Sequence, residues 1–499
     1  PMQCRATCRP VPDNFLAVWF AWRTDPARSK ILHFESPLAS NFNLSALHDA
    51  AARNPQWAPL AHELSAACWG LVPGVHRIAL DQGRVLLTLH CGVPFAPAPA
   101  THAVEPAVTP GRCVVIGGGV SGASVAASLA RRGWAVQVLD AAPQPAAGAS
   151  GLPVAVFAPH VSPGDSLLSR LTRAGIRATL SSAAPCLKGG FDGAATGVLE
   201  RGIKNARRLP PEFMPSAQNP LAAGTDWSRT ADAAQRQAAQ VPDGEPTLWH
   251  ARAGWLRPAL WVAVLLDHPA IAWHGGTTVD HVVRHNGLWQ VLSAAGDVLA
   301  QADLVVVACA HASTRMLGDA LPLQALRGQI SLGTLPDADQ ALVPRHPLNG
   351  HGSVVVARNA HGHWQWAVGS TFQRGRTDTA VDPADHADNL ARLDQLTPQL
   401  SGAAHAALAQ GKVTGWAGVR ATLPDRLPAV GPIGAAGQPG LWACTGMGAR
   451  GMTFAALCGE LLASKLHAEP LPVEPALANA LAADRFRRRR PEYRRSASS

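Results

Sequence analysis

Residues 112–140 read RCVVIGGGVSGASVAASLARRGWAVQVLD. Residues 113–116 form an apolar β-branched strand, residues 121–131 a helix of small side chains, and residues 135–139 a second strand. The turn between strand and helix carries Gly117, Gly119 and Gly122 at GxGxxG spacing. Such glycines permit a tight turn, let backbone approach a pyrophosphate and bring helix against strand, while free amides at the helix start face negative charge. Asp140, ending the second strand about 20 residues downstream, is placed to accept the ribose hydroxyls of an adenosine. Strand, glycines, helix, strand and acid in register predict a dinucleotide site but leave FAD and NAD open. Residues 304–308 supply another buried strand of the kind that belongs in a parallel sheet. Gly446, Gly448 and Gly451 open an apolar helix over residues 452–466, a second loop suited to capping the same cofactor.

Outward from this motif, the 499 residues suggest two or three domains. Hydrophobic residues make up 47% and charged residues 15%, which excludes a disordered or fibrous chain. The formal charge of +9 permits a polyanionic partner without demanding one. Nine dispersed cysteines without a CxxC pair suggest neither a disulfide scaffold nor structural zinc, and His160, His311 and His351 lack the spacing of a metal set. No apolar run approaches the ~18 residues of a membrane span, and no leader pattern precedes the first helix. A reduced, cytoplasmic, monomeric protein without membrane contact is expected. There is no internal repeat.

Residues 93–111 are rich in Ala and Pro and read as a linker. Before it, residues 44–70 read as amphipathic helices, followed by strands at 75–80 and 84–90 around the turn Asp81-Gln82-Gly83. This is too little for a whole α/β enzyme domain.

The region 112–490 resembles the FAD-dependent oxidase half of the bifunctional enzymes that complete 5-methylaminomethyl-2-thiouridine at the tRNA wobble position, themselves related to glycine and D-amino-acid oxidases. Besides 112–140, the resemblance rests on AGASGLPVAVFAPH (147–160), LLSRLTRAG (167–175), GWLRPALW (254–261), LRGQIS (326–331), VGSTF (368–372), GWAGVRATLPDRLPAVGPI (415–433) and GMGARGMTFAALCGELLAS (446–464). It implies an α/β fold: an FAD-binding domain built from about 112–200, 300–320 and 415–466, with an inserted α+β mixed-sheet substrate domain at about 245–300 and 321–414. A tail covers 491–499. It also implies FAD, bound by Gly117, Gly119, Gly122, Asp140, Ala149, Ser150, Gly151, Gly446, Gly448 and Gly451.

The reaction implied is oxidation of the glycine-like arm of 5-carboxymethylaminomethyluridine in tRNA, leaving 5-aminomethyluridine and glyoxylate, with oxygen as electron acceptor. Arg420 matches the arginine that pairs with substrate carboxylate in related oxidases. Arg327 and Gln329 are similar to residues bordering the flavin, and Arg450 to one in the closing loop. Arg170, Arg173 and Arg177, and the five arginines within 485–490, are candidates for tRNA phosphates, with FAD support and a solvated tail as the other readings. Trp255, Trp261, Trp364, Trp366 and Trp416 suit the core of the second domain. Small-molecule glycine or D-amino-acid oxidation and a catalytically silent tRNA-binding remnant are the alternatives.

Residues 1–92 resemble pieces of the family's methyltransferase half, through NFLAVW (14–19), ILHFESPL (31–38) and residues 57–89. Glu35 matches its ribose-binding acid. The stretch before Asn14 has no glycine, and the linker replaces the later pocket segment, so S-adenosylmethionine binding and methyl transfer are not expected. Two departures fall in the oxidase region. Ala310 stands where the family has glycine, which predicts a different turn beside FAD, and Asn349-Gly350-His351-Gly352 replaces a Gly-Tyr segment.

Overall fold

Strands rich in Val, Ile and Leu run through the centre of the larger unit. The computed structural model describes residues 2–5, 11–38, 44–95, 108–202, 209–214, 223–242, 244–433 and 439–486. The core of the linker and the tail beyond residue 486 therefore lie outside the described residues.

The first unit is a four-stranded sheet in the order β1 (Met2–Arg5), β2 (Leu32–Leu38), β4 (Val85–Cys91), β3 (Gly74–Leu80). β1, β2 and β4 are parallel, and β3 closes the edge as a hairpin with β4. Helices α1 (Val11–Thr24), α2 (Leu44–Arg53) and α3 (Ala58–Ala67) accompany it, and Phe15, Trp19, Phe34 and Leu87 are fully buried in its core. This fragment therefore has a core of its own.

The second unit holds a six-stranded sheet in the order Ile271–His274, β6 (Ala135–Leu139), β5 (Arg112–Ile116), Leu304–Val307, Leu441–Thr445, Ala429–Pro432. All pairings but the last are parallel. Helix α4 (Val120–Arg131) follows β5, and every residue from Val120 to Ala130 is buried. Its small side chains let the Gly451–Leu466 helix approach closely, since a Cβ on Gly459 would lie 2.6 Å from the Ser124 carbonyl oxygen.

Segment 245–300, expected in the substrate domain, largely builds this unit instead. The Pro258–Leu266 helix packs on α4, and Ile271–His274 forms the sheet edge. Trp261, fully buried beside Ala123 and Ala127, thus belongs to the dinucleotide unit, whereas Trp366 does sit in the core of the second sheet. That second sheet has nine strands. Its long central strand, Gln324–Leu335, pairs antiparallel with Trp364–Gly369, Gln373–Arg374 and Thr414–Thr422. The Pro383–Leu396 helix backs it.

The two units meet through buried polar contacts. Arg132 donates to Glu469 and Glu460, and Glu469 reaches His33 of the first unit at 3.3 Å. From helix α5 (Leu167–Ser182), Arg177 donates to the carbonyls of Ala67 and Trp69, its guanidinium 4.1 Å from the Trp69 ring. Arg170 pairs with Glu474, and Arg173 with Asp165 through both nitrogens. This corrects the expectation of a phosphate-binding set. The side chains of Arg173 and Arg177 are buried, and all three arginines are engaged in holding the fold. Arg485 likewise pairs with Asp425, while the arginines at 487–490 lie outside the described residues.

Candidate active site

Each glycine of the first loop meets a geometric demand. Gly117 has φ +113°, and a Cβ there would lie 2.8 Å from the backbone of Ala308. A Cβ on Gly122 would fall 1.9 Å from the Gly117 carbonyl oxygen. Gly119 is the extended residue before α4, 3.1 Å by its notional Cβ from Ser150 Oγ. Ser150 accepts from the Val120 amide at 2.9 Å and so links the Ala149–Gly151 turn to the helix start. Asp140 accepts from the amides of Gly118 at 2.6 Å and Ala142 at 2.8 Å. The acid thereby fastens the glycine loop while lining the same cavity.

That cavity, of about 1480 Å³, lies between the six-stranded sheet and the nine-stranded one. It exceeds the roughly 300–1,000 Å³ of an ordinary small-ligand site, so it can take a dinucleotide and part of a substrate together. Gly117, Gly119, Asp140, Ala149, Ser150, Gly446, Gly448 and Gly451 line it, whereas Gly122 and Gly151 stand behind its wall. Gly446 and Gly448 have φ of +78° and +55°, and thus use glycine's freedom; the notional Cβ of Gly451 meets nothing nearer than 3.6 Å. Ala310, where the sequence suggests a different turn, lines the cavity with φ +52°, a left-handed conformation that costs a non-glycine residue about 1 kcal/mol.

Across the cavity, Arg420 donates to the Thr371 carbonyl at 3.0 Å and lies 4.7 Å from the Phe372 ring. No carboxylate pairs with Arg420 among the described residues, and burial pushes its guanidinium down to about 10, still charged at neutral pH. Gly328 makes this placement possible, because a Cβ there would lie 1.5 Å from Arg420 Nη2. A half-buried, unneutralised fork is suited to a carboxylate. Arg450 lines the cavity from the turn before the Gly451–Leu466 helix. Asn349 and Gly350 also line it.

Arg327 and Gln329 do not border the cavity, which corrects their assignment. Alternation along Gln324–Leu335 turns Leu326, Gly328 and Ile330 inward and these two side chains to the other face. Fully buried Arg327 donates there to Asp385 at 2.7 Å, Gln373 at 2.7 Å and Gln329 at 2.9 Å. Gly328's clearance, Phe372 and Arg374 were not assigned from the sequence, although Gly328 lies within LRGQIS, Phe372 ends VGSTF and Arg374 stands two residues beyond it. The alternation within the strand was the available signal.

Residues 112–465 match the model of the family described as FAD dependent oxidoreductase. The cradle of glycines and amides fits that cofactor. A "tRNA 5-methylaminomethyl-2-thiouridine biosynthesis bifunctional protein MnmC" from Paracidovorax citrulli (strain AAC00-1) is 43% identical, covering 95% of this chain and 90% of the relative. The chain belongs to this bifunctional protein family. The relative of the same name from Polaromonas naphthalenivorans (strain CJ2) is 40% identical over 94% of this chain and 87% of its own length. The first alignment runs over 574 residues, more than the 499 of this chain, so the family member carries segments within the matched span that this chain omits. Among solved structures, glycine oxidase from Geobacillus kaustophilus is 17% identical, covering 75% of this chain and 99% of its own, with a TM-score of 0.59. Iminodiacetate oxidase from Chelativorans sp. BNC1 is 20% identical, with coverages of 73% and 97% and a TM-score of 0.56. These two share the fold.

The family's other cofactor does not fit what the first unit presents. Glu35, its candidate ribose ligand, is paired with His90 Nε2 at 2.9 Å, and the His90 ring meets Phe95 at 4.7 Å. The stretch before Asn14 contains no glycine to bring backbone up to a cofactor.

Proposed function

We propose that this protein removes the carboxymethyl group from 5-carboxymethylaminomethyl-(2-thio)uridine at the wobble position of tRNA, leaving 5-aminomethyl-(2-thio)uridine, and that it does not carry out the methyl transfer. Bound FAD supplies the hydride acceptor for oxidation of the arm's carbon–nitrogen bond; water then hydrolyses the resulting imine, releasing the two carboxymethyl carbons as glyoxylate, and oxygen is the final electron acceptor. Arg420 carries the reading. Its half-buried guanidinium stands in the same cavity as the dinucleotide loop and has no carboxylate partner among the described residues. It holds the arm's carboxylate and fixes the adjoining carbon, which is the positioning that an amine oxidation requires. Ile330, Val355 and Ala367 give the cavity an apolar wall, which favours the uncharged amine from which a hydride can leave.

The likeness to relatives named for tRNA modification supports a tRNA substrate, and a cytoplasmic monomer fits that substrate. No helix among the described residues is long and apolar enough to cross a membrane. The decisive measurement is anaerobic bleaching of the flavin by tRNA bearing the carboxymethylaminomethyl group, compared with glycine and a D-amino acid. Bleaching by tRNA is expected, and bleaching by amino acids alone would reject the proposal. Arg420→Met should raise KM for the modified tRNA about 10- to 100-fold, the loss expected for a charge-assisted pair. An unchanged KM would remove Arg420 from the site.

A further inference from the structure

Phe372 is 57% exposed, more than any other large apolar side chain among the described residues, yet it lines the cavity. Its backbone is pinned on both sides. Thr371 N donates to the Gln329 carbonyl at 3.1 Å, and Gln329 N returns a bond to Thr371 Oγ1 at 3.1 Å. On the other side, Gln373 is held by Arg327, and Gly375 N donates to the Ala325 carbonyl at 3.0 Å. An exposed aromatic ring on so constrained a segment is presented to something. Arg420 covers one face of the ring at 4.7 Å, and exposed Arg374 lines the cavity from the adjoining strand.

The charges around it are of one sign. Arg315, Arg374, Arg420, Arg426 and Arg450 line the cavity, against a single carboxylate, Asp140, which is committed to the Gly118 and Ala142 amides. A pyrophosphate at Gly119 does not explain Arg374 and Arg420, because these stand on the other sheet. An aromatic face flanked by arginines is the arrangement that takes an unstacked base of single-stranded nucleic acid.

Resting on the function proposed above, we propose that Phe372 is the stacking platform for the wobble base. Four bonds of about 1.5 Å separate the uracil ring from the arm's carboxylate carbon, a reach of about 5 Å. A base stacked about 3.5 Å above the ring's other face lies about 8 Å from the guanidinium, a span that the arm and one charge-assisted hydrogen bond of about 3 Å cover together, so one substrate engages both.

The test uses full-length, FAD-loaded protein and a fluorescent anticodon stem-loop RNA, intact or abasic at the wobble position, with binding read by anisotropy. Phe372→Leu should weaken binding of the intact RNA about 5- to 100-fold, the range for loss of one base–aromatic stack, and Phe372→Tyr should restore it. The abasic change and Phe372→Leu should be non-additive, because both remove the same contact. Leu-variant binding within about twofold of wild type, or additive losses, would overturn the platform while leaving the RNA substrate standing. Failure of the wild type to bind any stem-loop would reject the RNA substrate itself and the platform with it. Equal flavin content across variants confirms that the fold is retained.

Discussion

Asp140 and Glu35 are acids at or just after parallel strands of α/β units, and the sequence offers each as a candidate ribose ligand. Their surroundings differ. Asp140 accepts two backbone amides, one from within the glycine loop, and stays on the wall of a large cavity. Glu35 accepts from a side chain, His90, beside the ring of Phe95. The acid alone therefore does not mark a nucleotide site. What makes one is backbone close enough to a phosphate, and among the described residues only the region after β5 combines the acid with the glycines that allow it. The first unit has a buried core of its own and polar contacts to α5 and to the chain after the Gly451–Leu466 helix.

The largest expected effect comes from closing the intact site. Gly122→Ala would place its methyl against the Gly117 carbonyl, which should cost about 3 kcal/mol or more and abolish bound flavin in the visible spectrum. Wild-type flavin content in that variant would break the contrast drawn between the two acids.

A smaller effect concerns the junction and its dependence on pH. Burial holds His33 and His76 below the ordinary imidazole range, His76 at about 3, so the unfolded chain takes up protons first as pH falls below 6.5. Glu469 is held down to about 2 despite its burial, by His33 at 3.3 Å and by Arg132; its contribution is present above the ordinary carboxylate value of 4.5 and is lost as pH falls toward 2. Thermal stability should therefore decline below pH 6.5 and more steeply below 4.5. Melting curves across this range check it, and Arg132→Met should lower stability at neutral pH by about 3–5 kcal/mol by stranding the buried Glu469, while Glu460 keeps Arg131 and Ser128. A flat profile would mean that the first unit is not locked by these groups.

The smallest effect is at Glu35. Glu35→Gln should change stability by less than about 1 kcal/mol and leave flavin content untouched, since its contact is a single half-buried pair. Asp140→Asn should weaken flavin retention by comparison. Added S-adenosylmethionine should not shift the melting temperature of the wild type; a clear upward shift would restore the first unit as a cofactor site.

The sequence by itself determined the dinucleotide loop, the strands and helix around it, and the family, because these depend on residue type at short spacing. A positive φ, a close backbone approach and an acid at a strand end are local demands, legible in Gly117, Gly122 and Asp140. The turn at Ala310 shows the limit even there, since packing holds a left-handed conformation that residue type alone argued against. Only the tertiary structure decided which arginines are free to act. Arg173, Arg177 and Arg485 look like phosphate ligands in sequence, yet each is used up by an acid or carbonyl brought near by folding. Arg327 and Arg420 both sit in family motifs, but strand alternation sends the first into a buried network with Asp385, while Gly328 clears the space that sends the second into the cavity. The physical reason is that a charge is neutralised by whatever the fold places beside it, and those neighbours are distant in the chain.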